Sequence, residues 1–289
     1  MDVSEFVYKS GAGSGLKGFD PKFTGGFAGE DEARAKMSED AAALAKYQDI
    51  LMAHGTYGLL ILFQAMDGAG KDATIKHVMS SADPQGCEVK MFKAATEKEV
   101  RHDYLWRAVL ALPARGQIGI FNRSYYEHVL AERVHPEKLE EQHLPEEARG
   151  EGLWETRFRQ INDFERYLVE NGIHVLKFFL NISRDEQRNR LLERLDRPDK
   201  KWKFSSSDIE ERGSWDEHMR AFEAAFERTS TEHAPWHIIP ADNRWFARAA
   251  VASAVVAKLK SLHTEYPRMS EEQERELEEA RQALEQEAP

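Results

Sequence analysis

Apolar positions along the chain change period several times, and each change predicts an element. Over residues 31–54, Met37, Leu44, Tyr47 and Leu51 recur at three- and four-residue spacing, which predicts an amphipathic helix that stops at Gly55. Short apolar runs followed by polar or turn residues predict strands at 59–63, 88–92, 118–121, 175–181 and 237–240. Helical stripes separate them. Leu105, Val109 and Leu112 lead into Pro113; Phe158, Ile161, Phe164 and Leu168 lead into Gly172; Met219, Phe222 and Phe226 form a third stripe, and 246–262 a fourth. The aromatic stripes are read as core. Strands alternating with helices predict an α/β fold, a mostly parallel sheet of five strands covered on both faces. Residues 1–29, with GAGSG and TGGF and little periodicity, read as an extended arm that packs on a neighbouring surface or subunit. GAGSG follows no strand and precedes no helix, so it is not a phosphate loop.

Composition adds a setting. A chain of 289 residues with 41% hydrophobic content can bury a sizeable core, and no apolar run approaches the roughly 20 residues of a membrane helix. MDVSEFVYKS at the start lacks the charged-then-apolar layout of a secretory signal. Cys87 is the single cysteine, so an internal disulfide is excluded and a reducing cytoplasm is expected. Cys87 reads as a small buried hydrophobe rather than a nucleophile. Neither a membrane nor a nucleic-acid partner is expected. The net charge of −11 is concentrated at one end: 271–289 holds eight Glu against Arg275 and Arg281, net −6, leaving −5 elsewhere. That acidic tail, 266–289, is expected to be a solvated helix or disordered.

The candidate chemistry begins where the first strand ends. LLILFQAMDGAGKDATIKHVM (59–79) runs from an apolar strand through a small-residue loop and a lysine into a helix. Backbone N–H groups of Gly68, Ala69 and Gly70 can point at phosphate oxygens, the helix adds the positive end of its dipole, and Lys71 adds a mobile charge. The usual pattern G-x-x-x-x-G-K-[ST] is met at Gly70 and Lys71 but has Ala65 at its first glycine and Asp72 at its hydroxyl position. With that hydroxyl missing, Asp67 and Asp72 are the available hard oxygen ligands for Mg2+.

Ligands in parallel sheets bind beyond the carboxyl ends of the strands, so the end of the third strand is the next place to look. There the chain reads NRSYYE from Asn122 to Glu127. Arg123 can grip phosphate oxygens bidentately, and Asn122 can hold a metal-bound water. Tyr125 and Tyr126 either face a nucleotide base or pack; Tyr126 and Glu127 join Asn122 as candidate nucleotide-binding residues. Between Arg188 and Lys203 seven basic residues stand against three acidic ones, and Pro198 breaks the helix. A helix leading into a basic loop suits a lid, over about 184–212, with Arg188, Arg194, Lys200 and Lys203 facing a polyanion. His77, His102, His128 and His135 show no spacing that suggests a metal site and are read as structural.

These segments together carry a family resemblance. AMDGAGKDATIKHVM (65–79), DPQGCEV (83–89), HDYLWR (102–107), FNRSYYEHVLAERVHP (121–136), RLDRPDKKWKFSSSD (194–208), APW (234–236) and PADNRW (240–245) resemble, in this order, the family-2 polyphosphate kinases. The resemblance spans about 8–262 and leaves the tail outside. It implies a P-loop NTPase core similar to thymidylate kinase, a three-layer α/β/α fold with a helical lid over 30–265, dimers or tetramers, and Mg2+-dependent phosphoryl transfer between polyphosphate and nucleotides, with Mn2+ as a substitute. Asp67, Lys71 and Asp72 match the family's loop. Its second motif often reads Asp-Arg-Ser-Trp-Tyr-Asn, where this chain has Asn122-Arg123-Ser124-Tyr125-Tyr126-Glu127. That version is similar to class III, whose members phosphorylate both AMP and ADP. Polyphosphate, AMP, ADP and ATP are therefore the expected partners, with Asp67, Lys71 and Arg123 as the catalytic residues. Two other readings share parts of the pattern: an ATP-dependent nucleoside monophosphate kinase, and a non-catalytic regulator that binds polyphosphate.

Overall fold

The computed structural model describes residues 1–11, 13, 15–150 and 152–287, without the side chain of Lys203. Ala12 and Ser14 of the GAGSG stretch, and Ala288 and Pro289 of the tail, lie outside the described residues. The five strands are β1 (Gly58–Gln64), β2 (Cys87–Met91), β3 (Ile118–Asn122), β4 (Ile173–Asn181) and β5 (Trp236–Pro240). They form one sheet in the order β2-β3-β1-β4-β5, with every pairing parallel. The strand at the centre, β1, is buried along its whole length, as its unbroken apolar sequence requires of a strand covered on both faces. At the edge, Glu88, Val89, Lys90 and Met91 of β2 are exposed.

The helices are α1 (Glu30–His54), α2 (Lys71–Val78), α3 (Glu97–Val100), α4 (Trp106–Val109), α5 (Ala131–Val134), α6 (Leu153–Glu170), α7 (Arg184–Asp196), α8 (Ser207–Gly213), α9 (Trp215–Thr229), α10 (Arg244–Ser261) and α11 (Glu271–Gln286). One group joins α1 and α2 to α10, and another joins α6 to α9 and to β4. The stripes along α6, α9 and α10 face the core: Phe158, Ile161 and Leu168, then Phe222 and Phe226, then Phe246 and Leu259 are all buried. The stripe before Pro113 forms only the single turn of α4, with Val109 and Leu110 at the surface. Helix α11 has no buried residue and is held at its start by a Ser270–Gln273 capping box.

The described residues of the N-terminal arm pack on their own chain. Val7 bridges antiparallel to His237 of β5, Phe6 is buried against Phe246, and Tyr8 donates from its hydroxyl to Glu227 at 3.1 Å. The arm also reaches the carboxyl ends of the last two strands, where Asn181 donates to the Phe19 carbonyl at 2.8 Å and Asp242 N–H to the Pro21 carbonyl at 3.0 Å.

Candidate active site

Register brings the site together. Phe63 of β1 is level with Asn122 of β3, and the Arg123 N–H donates to the Phe63 carbonyl at 3.1 Å, so both strands release their chains at one height. Strand order reverses at β1, the position where parallel sheets open a ligand crevice. From there the loop after β1 bends through Gly68 (φ 87°) and Gly70 (φ 100°), backbone conformations that an L side chain would strain. Gly70 caps α2, whose first-turn N–H groups have no intrahelical acceptor and form an anion-binding end.

Three charged groups converge on this loop. Arg123 Nη2 donates to Asp67 Oδ1 at 3.1 Å, and Lys71 Nζ lies 3.7 Å from that same oxygen while donating to the Ala65 carbonyl at 2.8 Å. Burial works to raise the Asp67 pKa, but Lys71 and Arg123 together hold it below the ordinary carboxylate value. Burial lowers the Lys71 pKa against the opposing pull of Asp67, while Glu127 and then Asp67 favour the charged form of Arg123. Arg123 stands at φ 62°, the left-handed region that a non-glycine residue enters at a cost of about 1–3 kcal/mol. A buried Asn122 donates from Nδ2 to Asp72 Oδ1 at 2.8 Å, tying the end of β3 to the first turn of α2. Gln64, in the amide orientation that satisfies both neighbours, donates to Glu127 Oε1 at 2.9 Å and accepts from Ser124 Oγ at 3.1 Å.

A cleft of about 770 Å³ opens above these groups, lined by Gln64, Asp67 and Arg123 at its base, by Phe92, Lys93 and Arg107 on one side, and by Glu127 and Glu211 on the other. It is large enough for a nucleotide-sized ligand.

The structure corrects two expectations. Tyr126 is fully buried rather than facing the cleft. Its hydroxyl donates to Glu165 Oε1 at 2.9 Å and accepts from Lys177 Nζ at 2.8 Å, and Tyr125 donates to the same Glu165 oxygen at 2.8 Å. Both tyrosines therefore belong to a buried polar network under the sheet end, with Tyr125 also bordering the cleft. The lid residues are likewise not gathered at the cleft: Arg188 is exposed on α7, Arg194 Nη1 donates to Asp208 at 2.7 Å, and neither they nor Lys200 line it. The Lys203 side chain lies outside the described residues.

Two residues that hold the loop escape sequence reasoning. From α7, Gln187 Nε2 donates to the Asp67 carbonyl at 2.8 Å, and Arg190 Nη1 donates to the Ala69 carbonyl at 2.8 Å. Arg190 also reaches the Ala241 and Asp242 carbonyls after β5, so one buried guanidinium joins the phosphate loop to the far side of the sheet. The signal is present in the sequence as polar residues at three-residue spacing beside Leu191, on the face that α7 buries.

Residues 28–267 match the family described as Polyphosphate kinase 2 (PPK2). An ADP-polyphosphate phosphotransferase of Rhodopseudomonas palustris is 46% identical over 242 residues, covering 83% of this chain and 84% of that protein. An AMP/ADP-polyphosphate phosphotransferase of Meiothermus ruber is 43% identical over 253 residues, covering 87% and 91%. The crystal structure of Polyphosphate Kinase 2 from Arthrobacter aurescens TC1 superposes with a TM-score of 0.86 at 41% identity over 96% of both chains.

Proposed function

The chain belongs to the polyphosphate kinase 2 family, and from that premise we propose that it transfers the terminal phosphoryl group of inorganic polyphosphate to AMP and to ADP, reversibly, giving ADP and ATP. The observation that carries this reading is the convergence of Lys71, Arg123 and the N-terminus of α2 around Asp67. Phosphoryl transfer asks a protein for positioning and charge neutralisation more than covalent chemistry. An oxygen of the acceptor's terminal phosphate attacks the last phosphorus of the polyphosphate. The bond from that phosphorus to the bridging oxygen breaks, and the shortened polyphosphate leaves with the electron pair.

Lys71 and Arg123 flank the transferring group and neutralise its oxygens, while Gly68, Ala69, Gly70 and Asp72 contribute backbone N–H groups. Asp67 orients the acceptor phosphate, and its depressed pKa keeps it ionised near neutrality. Asn122 and Glu127 set the charge beside the acceptor. Arg188, Arg194, Lys200 and Lys203 act on the polyphosphate when the segment after α7 closes, with Arg194 exchanging Asp208 for phosphate. Hard carboxylate oxygens from Asp67 and Asp72 beside a phosphate loop suit Mg2+ or Mn2+, which binds through one or two carboxylates and the substrate's own oxygens. When bound, such an ion supplies further neutralisation of phosphate charge.

The test is ATP formation from AMP, and separately from ADP, with Mg2+ and long-chain polyphosphate, Lys71→Ala serving as control. ATP from both acceptors, lost in the variant and on chelation, is the expected result. ATP from ADP alone keeps the family and removes AMP as acceptor. Activity with ATP and AMP but none with polyphosphate identifies a nucleoside monophosphate kinase, and tight polyphosphate binding without turnover identifies a regulator.

A further inference from the structure

His135 is read from sequence as structural, yet the fold carries it to two partners far along the chain. It follows α5, Glu211 lies in α8, and His218 lies in α9. One carboxylate oxygen, Glu211 Oε2, is 3.1 Å from His135 Nε2 and 2.5 Å from His218 Nε2, and the three ligand atoms all lie within 4.8 Å of one another. Ligand atoms around a tetrahedral Zn2+ with bonds of about 2.0–2.1 Å stand roughly 3.3 Å apart, so the two carboxylate–imidazole separations change by less than about 1 Å to hold one.

A further carboxylate stands behind the cluster. His135 Nδ1 faces Glu137 Oε1 at 3.3 Å, the place of an outer carboxylate that orients a ligating histidine.

We propose that His135, Glu211 and His218 form a transition-metal site for Zn2+, separate from the Mg2+ position at Asp67 and Asp72. Two imidazole nitrogens and one carboxylate match Zn2+ and not Mg2+, which takes oxygen ligands. Three protein ligands leave a fourth position, and because Glu211 and His218 line the cleft, that position opens into it and takes water or a phosphate oxygen. The ion ties α8, at the end of the lid segment, to α9 and to the residue after α5. Glu211 is near enough for its charge to act on both Asp67 and Arg123, so metal binding also reduces the negative charge facing the phosphate site.

Direct binding tests this independently of the phosphoryl-transfer reading. The full chain, freed of metal by chelation, is titrated with Co2+ and then Zn2+ in excess Mg2+. An intense visible absorption of four-coordinate Co2+ saturating at one equivalent, displaced by Zn2+, is expected. His135→Gln, Glu211→Gln and His218→Gln, checked for folding by circular dichroism, each weaken binding by at least about 100-fold, and Glu137→Gln by up to about tenfold. The weak spectrum of hexa-aqua Co2+ with the unaltered chain, or Zn2+ affinity unchanged in Glu211→Gln and His218→Gln, overturns the proposal.

Discussion

The side-chain amide of Asn122 donates to the carboxylate of Asp72 at 2.8 Å, so the last residue of β3 and the first turn of α2 are joined at the floor of the site. An aspartate at 122 would place two carboxylates where a donor and an acceptor now meet. Asn122→Asp is expected to cost about 1–3 kcal/mol in stability, because position 122 is buried and its new carboxylate would face Asp72 with no donor between them. Together with Glu127→Asn it moves one negative charge from beside Arg123 to beside Asp72. The double variant should lower kcat/KM for AMP relative to ADP by about tenfold, roughly 1.4 kcal/mol of altered acceptor binding. An unchanged ratio would show that the Asn122 and Glu127 pair does not set acceptor choice.

Arg190 is the next residue to alter. Its guanidinium joins the carbonyls of Ala69, Ala241 and Asp242 to Glu186, and the planar fork rather than the charge makes that set of bonds available. Arg190→Lys should therefore fail nearly as badly as Arg190→Met. Each is expected to lose about 2–3 kcal/mol in stability from unpaired buried groups and about 10²-fold in kcat from a misplaced phosphate loop. Denaturant melts read beside steady-state rates separate the two effects. A lysine variant with native activity would show that charge alone suffices.

A long polyanion held by basic side chains gives a salt response. Lys93, Arg107 and Arg123 line the cleft, while Arg188 and Lys200 act only if the lid closes over the polyphosphate. The KM for polyphosphate should rise several-fold as KCl is raised from roughly 50 to 200 mM, since exposed charges are screened beyond about 7–14 Å over that range. Arg188→Gln with Lys200→Gln should flatten the rise while leaving the KM for AMP unaltered. If the double variant keeps the full response, the lid does not carry the polyphosphate.

The way this site divides between legible and hidden residues has a physical cause. Strand and helix positions were readable because β1, β4 and the α6, α9 and α10 stripes bury nearly continuous apolar faces, and periodicity reports such burial directly. The turn from Asp67 to Lys71 is legible because strand, small-residue turn and helix start follow one another directly in sequence. The roles of Gln187, Arg190 and Tyr126 were not, because each depends on a contact more than 35 residues away: Asp67, Ala69 and Glu165 in turn. The α4 stripe misled for the opposite reason. Its spacing is helical, but Pro113 and the turn at Gly116 leave room for one turn only, and Leu110 stays at the surface.

Beneath the site, Lys177 and Glu165 form a completely buried ion pair at 2.6 Å, with Lys177 also donating to Tyr126 and to the Thr229 carbonyl at 2.7 Å. Burial lowers the Lys177 pKa and the Glu165 carboxylate opposes that shift. Lys177→Met leaves an uncompensated buried carboxylate and should destabilise the chain by about 3–5 kcal/mol. Adding Glu165→Leu removes the stranded charge and should recover part of that loss. Urea unfolding of the two variants reads the difference, and equal stability of the single and double variants would show that the stranded carboxylate is not the cost.

His237 makes stability depend on acid. It sits in β5 with its ring 5.6 Å from that of Phe178, and burial lowers its pKa from 6.5 to about 4, against backbone hydrogen bonds that favour the charged form and with Lys258 and Lys177 adding to the lowering. The folded chain therefore keeps His237 neutral at pH values where the unfolded chain protonates it. Between pH 6.5 and about 4 the unfolded state binds the extra proton, so stability falls as pH falls through that window. The slope is about 1.4 kcal/mol per pH unit, reaching roughly 3 kcal/mol at the acid end. His237→Phe keeps an aromatic ring against Phe178 and removes the titration. Urea midpoints taken near pH 7 and again near 4.5 should lie closer together in His237→Phe than in the unaltered chain. The same separation in both would place the acid sensitivity elsewhere, first at His174, whose imidazole burial also lowers to about 4.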